Sequence, residues 1–362
     1  MKFEIADLRT VSSPSVKTCT TRLGWSKHSC LPPLNLVEAS NSKAFTESQV
    51  PHKFSYSHYA GPPFYSEIDR AILATEQALV FDHERLYLDS YHNRELMETI
   101  VPVKPHVGSL VNGSIEADFV TSREKRVVRT PAILIKGPHA ANYHHWLLEI
   151  LPRFWIFDEA PKFKNTTIIL PKLTRKFQTE TLNKILTSST KILFHDQEVF
   201  FMDKLLFPSF LAPGGHSRKQ LDWLRSKFLW ASEPKSSLLY ISRRDAVNGR
   251  RVVNEGALVG KLYALGFQEV LLTGKSHEEQ VKLFSKAKVI IGASGAGITN
   301  HVFAPEGAHV IEFHPEAYTN RAHYFTSSLL NQTYQFVICN QDAVGDMIVP
   351  VDEALQCVER VL

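Results

Sequence analysis

The sequence predicts an α/β protein with two cores, and three observations predict it. The chain has 362 residues, 44% hydrophobic and 22% charged, which is long enough for two hydrophobic cores rather than one. Between Ala132 and Phe207, short apolar runs alternate with helical segments, as in an open α/β sheet. From Ser237 to Phe313 the alternation is cleaner and reads βαβαβαβ. Right-handed crossovers would make this second half a parallel, Rossmann-like sheet with helices on both faces.

Taken in order, residues 1–70 are rich in Ser, Thr and Pro, show no sustained period of 3.6 or 2, and read as an irregular arm. Residues 71–215 form the first core. Its strands are expected at Ala78-Leu-Val-Phe, Arg126-Val-Val-Arg, Ala132-Ile-Leu-Ile, Thr167-Ile-Ile-Leu, Lys191-Ile-Leu-Phe and Lys204-Leu-Leu-Phe. An apolar helix begins near Asn142, and Pro152 kinks or ends it. Residues 216–236 read as a connecting amphipathic helix, Ser217 to Trp230, followed by a linker. Residues 237–340 carry the second sheet, with Asn254 as a helix cap and Ser276-His-Glu-Glu279 as a capping box. Residues 341–362 end in a closing helix.

Composition narrows the function classes. With 41 Lys+Arg against 37 Asp+Glu, the net charge of +4 is far from the concentrated basic field of an unaided nucleic-acid binder. The four cysteines form neither a CxxC pair nor a Cys/His cluster, so no zinc site or disulfide framework is expected. No apolar stretch approaches the roughly 20 residues that span a bilayer. The expectation is a cytoplasmic chain, with peripheral membrane contact left open.

Three motifs could carry chemistry. Gly292-Ala-Ser-Gly-Ala-Gly297 lies between a predicted strand and a helix start, where glycines let backbone N–H groups approach a phosphate. The spacing is neither a dinucleotide fingerprint nor a Walker A loop. Glu312 ends the following strand, where a carboxylate could accept from ribose hydroxyls. Ser242-Arg243-Arg244-Asp245 follows the strand Leu238 to Ile241 and so shares the same sheet edge, with Arg250 and Arg251 near by. Guanidinium forks there match a diphosphate bidentately. In the third motif, Asn142 to Arg153, the residues His145, Glu149 and Arg153 stand at i, i+4 and i+8 of an otherwise apolar helix. Such a stripe either satisfies itself internally or lines a cleft, where His145 oriented by Glu149 could take a proton. There is no DxD element of the kind that chelates a metal for nucleotide-sugar binding; Asp82-His-Glu is a poor match. HExxH, GxSxG and Cys/His metal clusters are also absent from the sequence.

Together, NYHHWLLEILPRFW, YISRRD with RRVVNE, and VIIGASGAGITNHVFAPEGAHVIEF resemble the family 61 glycosyltransferases, also known by a capsular-polysaccharide-biosynthesis label. The resemblance covers roughly residues 75 to 340. It implies a GT-B-like α/β architecture of two Rossmann-like domains facing across a cleft, the first on the acceptor side and the second binding the nucleotide sugar. It also implies inverting transfer to a hydroxyl in polysaccharide or glycan biosynthesis, with no metal or other cofactor. The expected partners are a nucleotide-sugar donor and a saccharide or lipid-linked saccharide acceptor, and no nucleic acid. His145 matches the histidine of the family's helix motif; inversion needs one base on the acceptor side, and His145 is the expected one, with Glu149 or Asp245 ranked below it. Arg243, Arg244, Ser294, Gly295, Ala296, Gly297, Asn300 and Glu312 would hold the donor. The family often carries His where this chain has Ser294, and an aromatic residue where it has His144. Two other readings stand beside this one. One is a non-catalytic nucleotide-sugar-binding or scaffold protein; the other is an NAD(P)-dependent oxidoreductase, which the glycine spacing disfavours.

Overall fold

A computed structural model of the chain describes residues 2–8, 11, 13–20, 26–30, 56–60, 63–87, 107–111, 114–119, 125–210, 216–229, 234–247, 249–317 and 319–362. The chain is mixed α/β and divides into two compact units, Met1–Ser26 with Tyr59–Leu224 and Lys27–His58 with Arg225–Leu362. Pro213-Gly-Gly, at the end of the first core, lies outside the described residues, as does part of the linker at 230–233.

In the first unit, the strands Ile192–His195, Thr167–Pro171, Ala132–Leu134 and Val199–Pro208 run parallel in that spatial order. Val199–Pro208 then pairs antiparallel with Phe64–Ala74, which continues the sheet through Leu79–Phe81 and Arg85–Tyr87 to Lys2–Ala6. The arm expected to be irregular therefore contains strands at Lys2–Ala6 and Val16–Thr20, and the long strand Phe64–Ala74 starts inside it. Short strands laid on an existing sheet need little hydrophobic periodicity of their own, and β-branched Val and Thr suit them. Phe64, Ile68, Leu73, Leu134, Leu205 and Phe207 fill one face of this sheet.

In the second unit, the strands Ser237–Ile241, Gln268–Val270, Ala287–Ala293, His309–Pro315 and Thr333–Gln341 are parallel, and Met347–Ile348 closes the edge antiparallel. Their spatial order is 2-1-3-4-5, the second strand lying outside the first and the third on its other side. This is a doubly wound order with its switch point between Ser237–Ile241 and Ala287–Ala293, where open α/β sheets bind ligands beyond the strands' carboxyl ends. The helix Ala322–Leu329 and the strand Thr333–Gln341 extend the unit beyond the elements that sequence periodicity marks. Ser276 and Glu279 form the expected capping box, with the Glu279 N–H donating to Ser276 Oγ at 3.2 Å and the Ser276 N–H to Glu279 Oε2 at 2.7 Å. Asn254 does not cap with its side chain. Its amide instead pairs with both backbone groups of Val349, tying the closing segment to the helix Glu255–Ala264. That helix and Val351–Glu359 bury Leu258, Leu262, Ala354, Cys357 and Val358 against the sheet. Each fully buried leucine or valine side chain there stabilises the unit by about 1.5–3 kcal/mol.

Candidate functional site

The loops that leave the two switch-point strands come together. Gly292 must be glycine because a Cβ there would lie 2.7 Å from the Ile241 carbonyl oxygen, so the two strands approach as they do only without a side chain. At Gly295, a Cβ would overlap Nη1 of Arg243, whose guanidinium lies over that glycine. The carbonyls of Gly295, Ala296 and Gly297 accept from the N–H groups of Ile298, Thr299 and Asn300, which starts the 3₁₀ helix Ile298–Phe303. The N–H groups of those same three residues make no hydrogen bond among the described residues. Ser294 is buried and donates its N–H to Phe313 at 2.8 Å.

The basic residues divide. Arg243 is half-buried, and its pKa is lowered first by burial and then by the charge of Arg250. A partly desolvated guanidinium beside a second cation favours an anion at that spot. Arg244 turns away and pairs with Glu269 at 2.6 Å, because successive residues leaving a strand point to opposite sides. Arg251 grips Asp346 through Nε at 2.8 Å and Nη2 at 2.7 Å, which pins the basic loop to the closing hairpin. Asp245 is exposed in the turn, close enough to act on Arg243 electrostatically.

Asn300 and Glu312 lie beneath the loop. Asn300 is fully buried and donates to Gln280 Oε1 at 2.9 Å and to the Gly297 carbonyl at 3.2 Å. Glu312 is also fully buried; one carboxylate oxygen sits 2.9 Å from His323 Nδ1, and the other accepts from the Tyr334 hydroxyl at 2.8 Å. Burial alone would raise its pKa. The charges and hydrogen bonds of His323 and His314 instead hold it well below the usual carboxylate value. His323 Nε2 reaches Thr299 at 3.2 Å, so this polar layer runs up to the first turn after the glycine loop. Sequence reading missed the layer, although Glu312 and His314 stand at i, i+2 and so share one face of a strand.

In the first unit, Asn142 caps the helix motif by accepting from the His144 N–H at 2.9 Å. The segment that follows changes pitch three times: Tyr143–His145 is α-helical, Trp146–Ile150 a π turn, Leu151–Trp155 a 3₁₀ turn with Pro152 near its start, and Ile156–Glu159 α-helical again. His145 Nδ1 and Glu149 Oε2 are 2.8 Å apart, as the i, i+4 spacing predicts. Arg153 is not part of that face. The changed pitch turns it into the core, where it is fully buried, donates to the carbonyls of Pro208 and Lys136, and stacks on Phe207 and Phe210 at 4.7 Å each. Burial pushes its pKa down to about 9. π turns inside helices recur at functional sites. His139 and His144 surround His145, with ring centroids 5.1 and 5.5 Å from it.

Lys136, two residues past the strand Ala132–Leu134, is buried beside this helix, where its carbonyl accepts from Arg153. Its ammonium donates to the carbonyls of His195 and Asp196 at 2.9 and 3.1 Å and lies 2.8 Å from His195 Nδ1. Burial lowers its pKa to about 8 against the opposing charges of Asp196, Glu76 and Glu198. Asp82, the poor match to a metal-binding acid, is buried in its own turn and accepts from Tyr87 and from the Glu84 and Arg85 N–H groups. Among the described residues, no group of three or more His, Cys, Asp or Glu is arranged to hold a metal ion, and no helix is long and apolar enough to cross a membrane.

Compared with known protein families, residues 143–311 match the model described as Glycosyltransferase 61. No curated protein matches the chain. The matched span contains His145, Glu149, Arg243, Arg244, Asp245 and the glycine loop through Asn300.

Proposed function

From the premise that residues 143–311 belong to the glycosyltransferase 61 family, we propose that this transferase moves a sugar from a nucleotide-diphosphate donor to a hydroxyl acceptor with inversion and without a metal. The observation that carries the proposal is the position of Arg243 over Gly295 at the switch point of a parallel sheet. A guanidinium and three N–H groups there would share a diphosphate, and as the nucleotide leaves they would meet the charge that develops on it. Ser294, Asn300 and Glu312 would act from below by fixing the loop, and Arg244 and Arg251 by fixing the basic segment. In the GT-B-like arrangement we propose, the second unit carries the donor and the first the acceptor.

His145 is the proposed base. With Nδ1–H donated to Glu149, which orients the ring, Nε2 would be the atom that takes the acceptor proton. The acceptor oxygen forms a bond to the anomeric carbon as the bond from that carbon to the diphosphate breaks. The diphosphate leaves with the electron pair, and the proton ends on Nε2. One displacement with one base inverts the anomeric centre. The reading places the chain in polysaccharide or glycan biosynthesis, where peripheral membrane contact would accompany a lipid-linked acceptor. A screen of nucleotide sugars for consumption with and without saccharide acceptors, in the presence of EDTA, tests the proposal. Donor binding without any consumption would instead indicate a scaffold, and NAD(P) binding an oxidoreductase.

A further inference from the structure

Three of the parallel strands of the first unit end at a pocket of about 480 Å³ that the sequence motifs touch only at Asn142. Its walls are the segments following Ala132–Leu134, Thr167–Pro171 and Ile192–His195, together with the turn that carries Glu76 and Gln77. A crevice beyond the carboxyl ends of parallel strands is where α/β sheets bind ligands, and the volume is that of a small-molecule site. Two of the walls hold non-glycine backbone in the left-handed region. Thr75 (φ 70°) and Ala78 (φ 64°) flank Glu76 and Gln77, and His139 has φ 57°. Each such residue costs about 1–3 kcal/mol, so these turns are held around the pocket against their own preference.

The pocket adjoins the proposed base. Asn142 lines it and caps the helix that carries His145, and His139 lines it with its ring 5.1 Å from that of His145. Charge on the walls cancels. Lys136 and Lys172 face Glu76 and Asp196, and Lys136 is already tied to the His195 and Asp196 carbonyls. The balance favours neither an anion nor a cation, while Gln77, Asn142 and Thr174 offer hydrogen bonds to hydroxyls.

We infer that this pocket is the acceptor site and that it takes an uncharged, hydroxyl-rich sugar residue, presenting one hydroxyl to His145. The inference rests on the transferase reading for its role, but its test reads binding alone. Saturation-transfer NMR and calorimetry on the full chain would use the methyl glycosides of glucose, galactose, mannose and glucuronic acid as probes. At least one neutral glycoside should bind, and the glucuronide should bind at least tenfold more weakly. Thr174→Trp, at an exposed position, should fill the pocket and weaken neutral glycosides at least tenfold with nucleoside diphosphate binding unchanged, and Arg243→Ala should do the reverse. Glu76→Lys, also at an exposed position, makes the walls positive and should bring the glucuronide level with its neutral counterpart. No binding of any neutral glycoside, glycoside binding indifferent to Thr174→Trp, or a wild-type preference for the glucuronide would overturn the inference. Failure of the transferase reading looks different: no nucleotide sugar is consumed, yet the glycosides bind and respond to Thr174→Trp and Glu76→Lys as stated.

Discussion

Arg243 fills the space that any side chain at Gly295 would need. The two residues lie 52 positions apart, on the loops that leave the first and third strands of one parallel sheet. Each therefore fixes the other: the glycine admits the guanidinium, and the guanidinium converts a backbone loop into a site with charge.

Gly295→Ala is expected to displace Arg243 and to weaken nucleoside diphosphate binding about as much as Arg243→Ala. The loss should be about 10–100-fold, the worth of a hydrogen bond to a charged group. Because both changes remove one interaction, the double variant should bind no more weakly than the worse single one. Calorimetric titration of the four proteins checks this.

His145→Gln should lower transfer about 10²–10⁴-fold, the usual contribution of a general base, and leave nucleoside diphosphate affinity unchanged. Glu149→Gln retains an acceptor for Nδ1–H but removes the charge that supports the imidazolium, so a smaller fall in kcat is expected. Single-turnover kinetics with saturating donor separates these effects from binding.

Glu312→Ala should destabilise the second unit by about 3–5 kcal/mol, because it strips the partner from His323 and Tyr334 inside a closed layer. Glu312→Gln, which keeps the shape, should cost less. Thermal unfolding of the purified variants gives both values.

Acid should weaken the fold below neutral pH through its buried histidines. Burial lowers His277 to about 4; burial first and the Lys136 charge next lower His195 to about 3. An imidazole in the unfolded chain titrates near ~6.5, so the unfolded state takes up these protons first. The contribution is fully present above about pH 6.5 and is lost as pH falls toward about 4 for His277 and about 3 for His195. His277 packs between Phe228 and Phe303, with ring centroids at 4.8 and 5.6 Å. His277→Phe should therefore flatten the slope of stability against pH between about 6.5 and 4, as read by urea unfolding at several pH values.

Much of the second sheet was legible because buried parallel strands are short apolar runs and the helix at Ser276 announces its own cap. The pairing of His145 with Glu149 followed from spacing alone. Arg153 did not join them because periodicity assumes one pitch, and a π turn followed by a 3₁₀ turn breaks it. The first-unit pocket was invisible for a related reason. Left-handed turns are read from Gly and Asn, and here Thr75, Ala78 and His139 adopt that conformation under tertiary constraint. The burial of Lys136 escaped notice because a lysine at the end of a strand normally faces water.

The most direct test is a transfer assay in EDTA, with the anomeric configuration of the first-formed product read by NMR, for the wild type, Arg243→Ala and His145→Gln. Wild-type protein should release nucleoside diphosphate and form an inverted glycoside without metal. Arg243→Ala should lose donor affinity, and His145→Gln should lose turnover alone. A retained anomeric configuration, a strict metal requirement, or full transfer by His145→Gln would contradict the proposed mechanism.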